Sequence, residues 1–304
     1  MPRRADPDPE LPLLALVAEV RSAGLTGDQI RQRLRSGAWR RVARGAYLPT
    51  GESVLDGLGT HERARVDHLM RAIAAASRNP GTVICDASAA VVHGMHVLAL
   101  PPHVQLGVPA GRWSGTRSGI DFRVRDLAPE DVVTGRVPVA SPLRVWVDLT
   151  RAGSLADALV SGDSALRQGM FTADAATDRV AGVARRRGCR TVERAAGLLD
   201  GRRESALESA SYAYFVEHRV PLPSCQVVIR SRDGLLLGRV DFLWDTHRLV
   251  GESDGRLKYA AAADLYAEKR REDAIRAEGY DVVRWGMPDL RTPVLAARLR
   301  RHLR

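Results

Sequence analysis

Residues 238–259 read GRVDFLWDTHRLVGESDGRLKY, and how this stretch is parsed decides the fold of the C-terminal third. Val240 to Trp244 is apolar around a single acid, Asp241. Asp245-Thr246-His247 is polar and suits a turn. Arg248 to Ser253 then runs back toward a second acid, Glu252. Two short strands joined by a turn fit this pattern. Side chains alternate faces along a strand, so Glu252 and Asp254 point the same way if the strand persists that far. Asp241, Glu252 and Asp254 would then converge at one sheet end. Like charges that close repel, so the cluster calls for a cation. Oxygen-only ligands favour Mg²⁺ or Mn²⁺, which suits cleavage of a phosphodiester.

The elements around this stretch complete a unit over residues 201–304. Glu204 to His218 reads as a helix with Leu207, Ala210 and Tyr214 as its apolar stripe. Glu204, Glu208 and Ser211 share another of its faces. Gln226–Arg230 and Leu235–Trp244 form a hairpin turned at Asp233-Gly234. After the strand Arg248–Ser253 come a charged helix over Asp264–Glu278, a strand over Tyr280–Trp285 and a basic helix opened by Pro293. Helix, three strands, helix, strand, helix suits a mixed sheet flanked by helices.

At the other end, residues 1–10 read as a disordered lead and Leu11–Ala23 as an amphipathic helix. Thr26-Gly27-Asp28-Gln29 is a capping box opening a second helix to about Ser36. Trp39–Val42 and Ala46–Leu48 form a hairpin turned at Arg44-Gly45. Helix, turn, basic helix and basic hairpin make the layout of a winged helix-turn-helix over residues 1–50. Arg31, Arg33, Arg35, Arg40, Arg41 and Arg44 are its candidate phosphate contacts, with Lys269 of the C-terminal unit as a further DNA contact; base readout does not follow from charge.

Residues 51–200 carry no catalytic constellation. After a linker over Gly51–Gly57, His61–Arg78 is a helix and Thr82–Cys85 a strand. Asp86 caps a helix that Gly94 closes. Strands follow at Val104–Val108, Ile120–Val124 and Val137–Val139, with Gly111–Gly119 as a loop. Ser141-Pro142 starts another helix, and helices run on to about Leu199, past the basic run Arg185-Arg186-Arg187. His93 and His96 are read as capping or core groups, since no third metal ligand is evident.

Composition narrows the partner. The chain has 304 residues and a formal net charge of +10, which favours a polyanion such as DNA. Only two lysines occur, Lys258 and Lys269, both just after the acidic strands. Cys85, Cys189 and Cys225 are too scattered for a disulfide framework or a zinc site. The N-terminus lacks a signal-peptide pattern, and no apolar run is long enough for a membrane span. A cytoplasmic multidomain α/β protein is expected.

Residues 201–304 resemble the PD-(D/E)xK nuclease superfamily, and within it the domain related to very-short-patch-repair endonucleases. The resemblance rests on Glu208, on Val240-Asp241-Phe242, on Glu252-Ser253-Asp254-Gly255, on Lys258-Tyr259 and on Lys269–Asp273 followed by Gly279–Arg284. It implies Asp241, Glu252 and Glu208 as ligands of Mg²⁺ or Mn²⁺, and Lys258 or Lys269 in the motif lysine's role. Asp254 stands where the motif has lysine. Residues 1–50 resemble the winged helix of AbiE-type antitoxins. Residues 80–200, with Asp86-Ala87-Ser88-Ala89-Ala90 and Ser141-Pro142-Leu143-Arg144, look like the segment that follows it.

Three functions stay open at this level. One is a DNA-binding, metal-dependent endonuclease. The second is an antitoxin-type regulator, with a toxin as partner and an inactive nuclease-like domain. The third is a nuclease that recognises DNA structure rather than sequence.

Overall fold

The computed structural model describes residues 14–49, 55–183, 188–254 and 262–304. The lead at residues 1–10, most of the linker, Arg185–Arg187 and Lys258 lie outside them. The chain divides into two compact units, residues 1–94 with 99–145 and residues 95–98 with 146–304.

The first unit opens with a winged helix. In place of one helix over Leu11–Ala23, the chain forms β1 (Ala15–Leu16) and then α1 (Val17–Ser22). The wing is the cause. Ala15 and Leu16 pair antiparallel with Tyr47 and Ala46, so ladder bonds take backbone groups that a helix would otherwise use. Helix α2 (Gly27–Arg35) starts at the capping box. Thr26 N donates to Gln29 Oε1 at 2.8 Å and Gln29 N to Thr26 Oγ1 at 3.3 Å. Such a cap is worth about 1 kcal/mol. The hairpin is β2 (Arg40–Ala43) with β3 (Ala46–Leu48). Val20, Leu25, Ile30, Trp39 and Tyr47 fill the core between helices and wing. On the wing's other side Leu14, Ala46 and Leu48 pack on Met70 and Ala74 of α3 (Thr60–Arg78).

The same unit holds a six-stranded sheet. Its elements are β4 (Val83–Ile84), α4 (Asp86–His93), β5 (Val104–Val108), β6 (Gly115–Arg117), β7 (Ile120–Val124), β8 (Val132–Val133) and β9 (Val139–Ala140). The strand order is β6-β7-β5-β4-β9-β8. Residues 111–119 are thus more than a loop, because Gly115–Arg117 pair antiparallel with Phe122–Ile120 and form a hairpin at the sheet edge. Helix α5 (Pro142–Ala152) follows Ser141 as expected, and the division between the units falls inside it.

The second unit contains α6 (Leu155–Arg167), α7 (Ala173–Val183) and α8 (Cys189–Ala196). Next come α9 (Ala206–Glu217), β10 (Ser224–Arg230), β11 (Leu236–Trp244) and β12 (Leu249–Ser253). Helix α10 (Ala262–Ala277), β13 (Asp281–Trp285) and α11 (Val294–His302) complete it. Strands β10, β11 and β12 are antiparallel, and β13 joins β12 in parallel. The mixed sheet between helices is therefore the expected one. Phe215 packs with Phe242, Trp244, Trp285, Leu295 and Leu299 in one cluster. Ile229, Val240, Leu243 and Val250 pack with Ile275 in another. Gly251 lies between two indoles, where a Cβ would come within 2.5 Å of Trp285 and 3.0 Å of Trp244. Only glycine lets β12 pass there. Among the described residues no helix is long and apolar enough to cross a membrane.

Candidate nucleic-acid interface and carboxylate cluster

The structure sorts the winged-helix arginines into two groups. Arg31, Arg35, Arg41 and Arg44 are exposed, with Arg31 paired to Asp28 one turn back. Arg33 and Arg40 are half-buried and hold the motif together. The Arg33 guanidinium lies over the Trp39 ring, 5.6 Å from its centroid. Arg40 pairs with Asp67 of α3 at 2.9 Å. The exposed set spans the C-terminal half of α2 and the hairpin, which is the surface that meets phosphates in a winged helix.

In the sheet of the first unit, two expectations change. Asp86 does not cap α4. Cys85 holds the cap position, and Asp86 is the first helical residue, in a left-handed conformation at φ 51°. Its buried carboxylate accepts from Arg123 at 2.9 Å and from Arg125 at 3.2 and 2.7 Å. That three-residue cluster ties β7 to α4 and explains why a strained backbone is tolerated. His93 is structural, as expected, with Nε2 2.7 Å from the Ala140 carbonyl. His68 is buried with Nε2 2.8 Å from Ser88 Oγ, and burial pushes its pKa down to about 4. Arg144 is also buried and donates to Asp131 and to the Asp126 carbonyl, each at 2.7 Å.

The carboxylates of the second unit do not all converge. Ser205 caps α9, accepting from Glu208 N at 3.1 Å, and this places Glu208 on the inner face. Glu208 is buried, so it is no solvated helix face; Glu204 instead pairs with Arg239 at 2.8 Å. Gln226 stands between Glu208 and Asp241. Its Nε2 donates to Glu208 Oε2 at 2.7 Å and lies 3.3 Å from Asp241 Oδ1. Asp241 Oδ2 accepts from Ser253 N at 2.9 Å and from Ser253 Oγ at 2.7 Å. Burial, and then the charge of Asp241, push the Glu208 carboxyl above its ordinary range.

Glu252 and Asp254 part from this pair. Glu252 Oε1 meets Arg271 of α10 at 3.3 Å. Strand β12 ends at Ser253; Asp254 still donates its N–H to the Trp285 carbonyl at 2.8 Å, and Arg284 approaches its carboxylate at 3.6 Å. Lys269 is exposed on α10, while Lys258 lies outside the described residues. Among the described residues, no three His, Cys, Asp or Glu side chains stand close enough together to hold a metal ion. The expected Mg²⁺ or Mn²⁺ ligands Asp241, Glu252 and Glu208 each carry a partner from the chain itself. Two acids face an amide, and the third faces a guanidinium.

Sequence reasoning missed Gln226, Ser253 and Arg271. Gln226 has φ 56° within β10, a conformation that no local pattern signals for glutamine. The kink has a visible effect: Cys225 and Phe242 belong to one apolar cluster, and Val227 and Val240, two residues away, to the other. Also missed is Arg203, fully buried, which donates to Asp163 at 2.6 and 3.0 Å and stacks 4.2 Å from the Tyr212 ring centroid. Burial raises the thiol pKa of Cys85 and takes that of Cys225 to about 11, so neither is a thiolate near neutral pH.

Comparison with known proteins places the middle of the chain. Two uncharacterized proteins of Mycobacterium tuberculosis, from strains CDC 1551 and H37Rv, are each 28% identical over 287 residues. Those alignments cover 92% of this chain and 97% of each relative. Residues 82–201, from the strand before Asp86 to the loop before Arg203, match the AbiEi antitoxin C-terminal domain.

Proposed function

We propose that the chain is a DNA-binding regulator of antitoxin type. The observation that carries this reading is the AbiEi antitoxin match at residues 82–201 in a chain that begins with a winged helix bearing exposed arginines. Arg31, Arg35, Arg41 and Arg44 would contact backbone phosphates, positioning α2 against the duplex. The middle segment would meet a protein partner, a toxin if the match extends to function. Residues 201–304 would serve as a nuclease-like scaffold: Gln226 and Ser253 hold Asp241, and Arg271 holds Glu252.

A second reading keeps the metal-dependent nuclease. It is favoured by Glu208, a buried carboxylate beside Asp241, with Gln226 between them. Against it stand the partners of the acids: Gln226 faces Glu208 and Asp241, and Arg271 faces Glu252.

The test is selection of bound fragments from the source genome by the full chain in EDTA. A regulator enriches a defined operator, and Arg41→Ala with Arg44→Ala weakens its binding at least tenfold, as loss of two phosphate contacts implies. Recovery of random fragments, or enrichment that the double change leaves intact, would overturn the assignment of the wing.

A further inference from the structure

The chain has five tryptophans, and four are buried: Trp39, Trp146, Trp244 and Trp285. Trp113 is the exception, at 57% exposed. It enters the hairpin of β6 and β7 at the far edge of the six-stranded sheet. This indole is held rather than loose. Its ring meets Phe122 edge-on, with centroids 5.6 Å apart. The Arg117 guanidinium lies 5.5 Å from its centroid. Gly115, at φ 142°, lets the ring lie against the backbone, where a Cβ would come within 3.0 Å of it. A fixed aromatic that keeps more than half its surface in water is unusual for a large apolar side chain. Exposed Val124, at 45%, lies on the same hairpin.

The nearest acid of the hairpin, Asp121, is paired with Arg123 at 2.6 Å and accepts from Thr116. From Val108 to Ile120 there are two arginines, Arg112 and Arg117, and no acid. Both are exposed. Arg123, on β7, and Arg125, just after it, are already committed to Asp86 and Asp121. The available chemistry is therefore one rigid π surface flanked by two cations. That combination fits an unpaired nucleotide: the base stacks on the indole, and the neighbouring phosphates meet Arg112 and Arg117.

We propose that the Trp113 hairpin is a second nucleic-acid site, which binds unpaired bases of a single strand. It is separate from the winged helix and does not depend on the regulator reading. DNA and RNA share the chemistry, so both are probed.

The burial of the other four indoles makes the test direct, because acrylamide quenches chiefly Trp113. The full chain is titrated with short oligodeoxythymidylate, with oligouridylate and with inorganic polyphosphate, and acrylamide quenching is followed. Either oligonucleotide should shield Trp113, and polyphosphate should not. Followed by the anisotropy of a labelled oligonucleotide, Trp113→Ala should weaken binding about tenfold, while Trp113→Phe keeps most of it. An excess of unlabelled duplex DNA, which the winged helix would take up, should leave the shielding of Trp113 in place, which separates this site from the wing. Quenching unaltered by saturating oligonucleotide would overturn the proposal. So would equal affinity of Trp113→Ala, or shielding of Trp113 by self-association in the absence of any nucleic acid.

Discussion

The wing at one end of the chain and the carboxylate cluster at the other handle charge in opposite ways. In the wing, four arginines face water and two are absorbed by Trp39 and Asp67. In the C-terminal sheet the acids face inward and each has a donor of the same chain: Gln226 and Ser253 for Asp241, Gln226 for Glu208, Arg271 for Glu252. A charge free to meet a ligand differs from a charge already spent on the fold. Residue type alone does not tell them apart.

The largest expected effect tests the spent class. Arg203 is fully buried against Asp163. Arg203→Ala leaves a buried carboxylate without its partner and should cost about 3–5 kcal/mol in denaturant unfolding. Exchanging both members for apolar residues of similar volume should restore most of that loss. If Arg203→Ala is silent, burial is not the criterion that separates the two classes.

Acid sharpens the comparison, because the two units carry groups with opposite responses. His68 has a folded pKa near 4 against 6.5 for the unfolded chain. Its contribution is present above pH 6.5 and is lost as pH falls toward 4, about 3 kcal/mol in all. Glu208 is shifted upward. Its contribution is present below the ordinary carboxylate pKa and is lost as pH rises through the folded value. Stability measured against pH should therefore flatten in the acid limb for His68→Gln. Glu208→Gln should gain stability near neutral pH and lose that advantage in acid. The second effect is the smaller, since the glutamine oxygen can still accept from Gln226.

Between these in size lies the wing. Each phosphate contact removed should lower the slope of log K against log salt by about 0.9. Arg35→Ala, Arg41→Ala and Arg44→Ala should each do so, while Arg40→Ala should act through stability, because it holds α3.

Much of this fold was legible in the sequence. The capping box at Thr26, the turns at Gly45, Gly94 and Gly234, and the order of elements after residue 204 stand where local chemistry put them. The misses share a cause. Leu11–Ala23 has a helical pattern, yet Ala15 and Leu16 form a strand ahead of the helix because Tyr47 and Ala46 come back to pair with them. Asp86 reads as a cap until Arg123 and Arg125, far along the chain, claim its carboxylate. The carboxylate site was half legible: Glu208 and Asp241 are neighbours as expected, but the kink at Gln226 and the end of β12 at Ser253 are tertiary outcomes. They send Glu252 and Asp254 to Arg271 and Arg284.

The most direct test of the division between exposed and spent charge combines binding and cleavage in one experiment. The full chain, Asp241→Ala and Glu252→Ala are incubated with plasmid and short duplex DNA in EDTA, in Mg²⁺ and in Mn²⁺. A regulator binds equally in all three buffers and in all three proteins, and it leaves the DNA intact. Cutting that needs Mg²⁺ or Mn²⁺ and disappears in both variants would contradict it, and would make the carboxylate cluster a working nuclease centre.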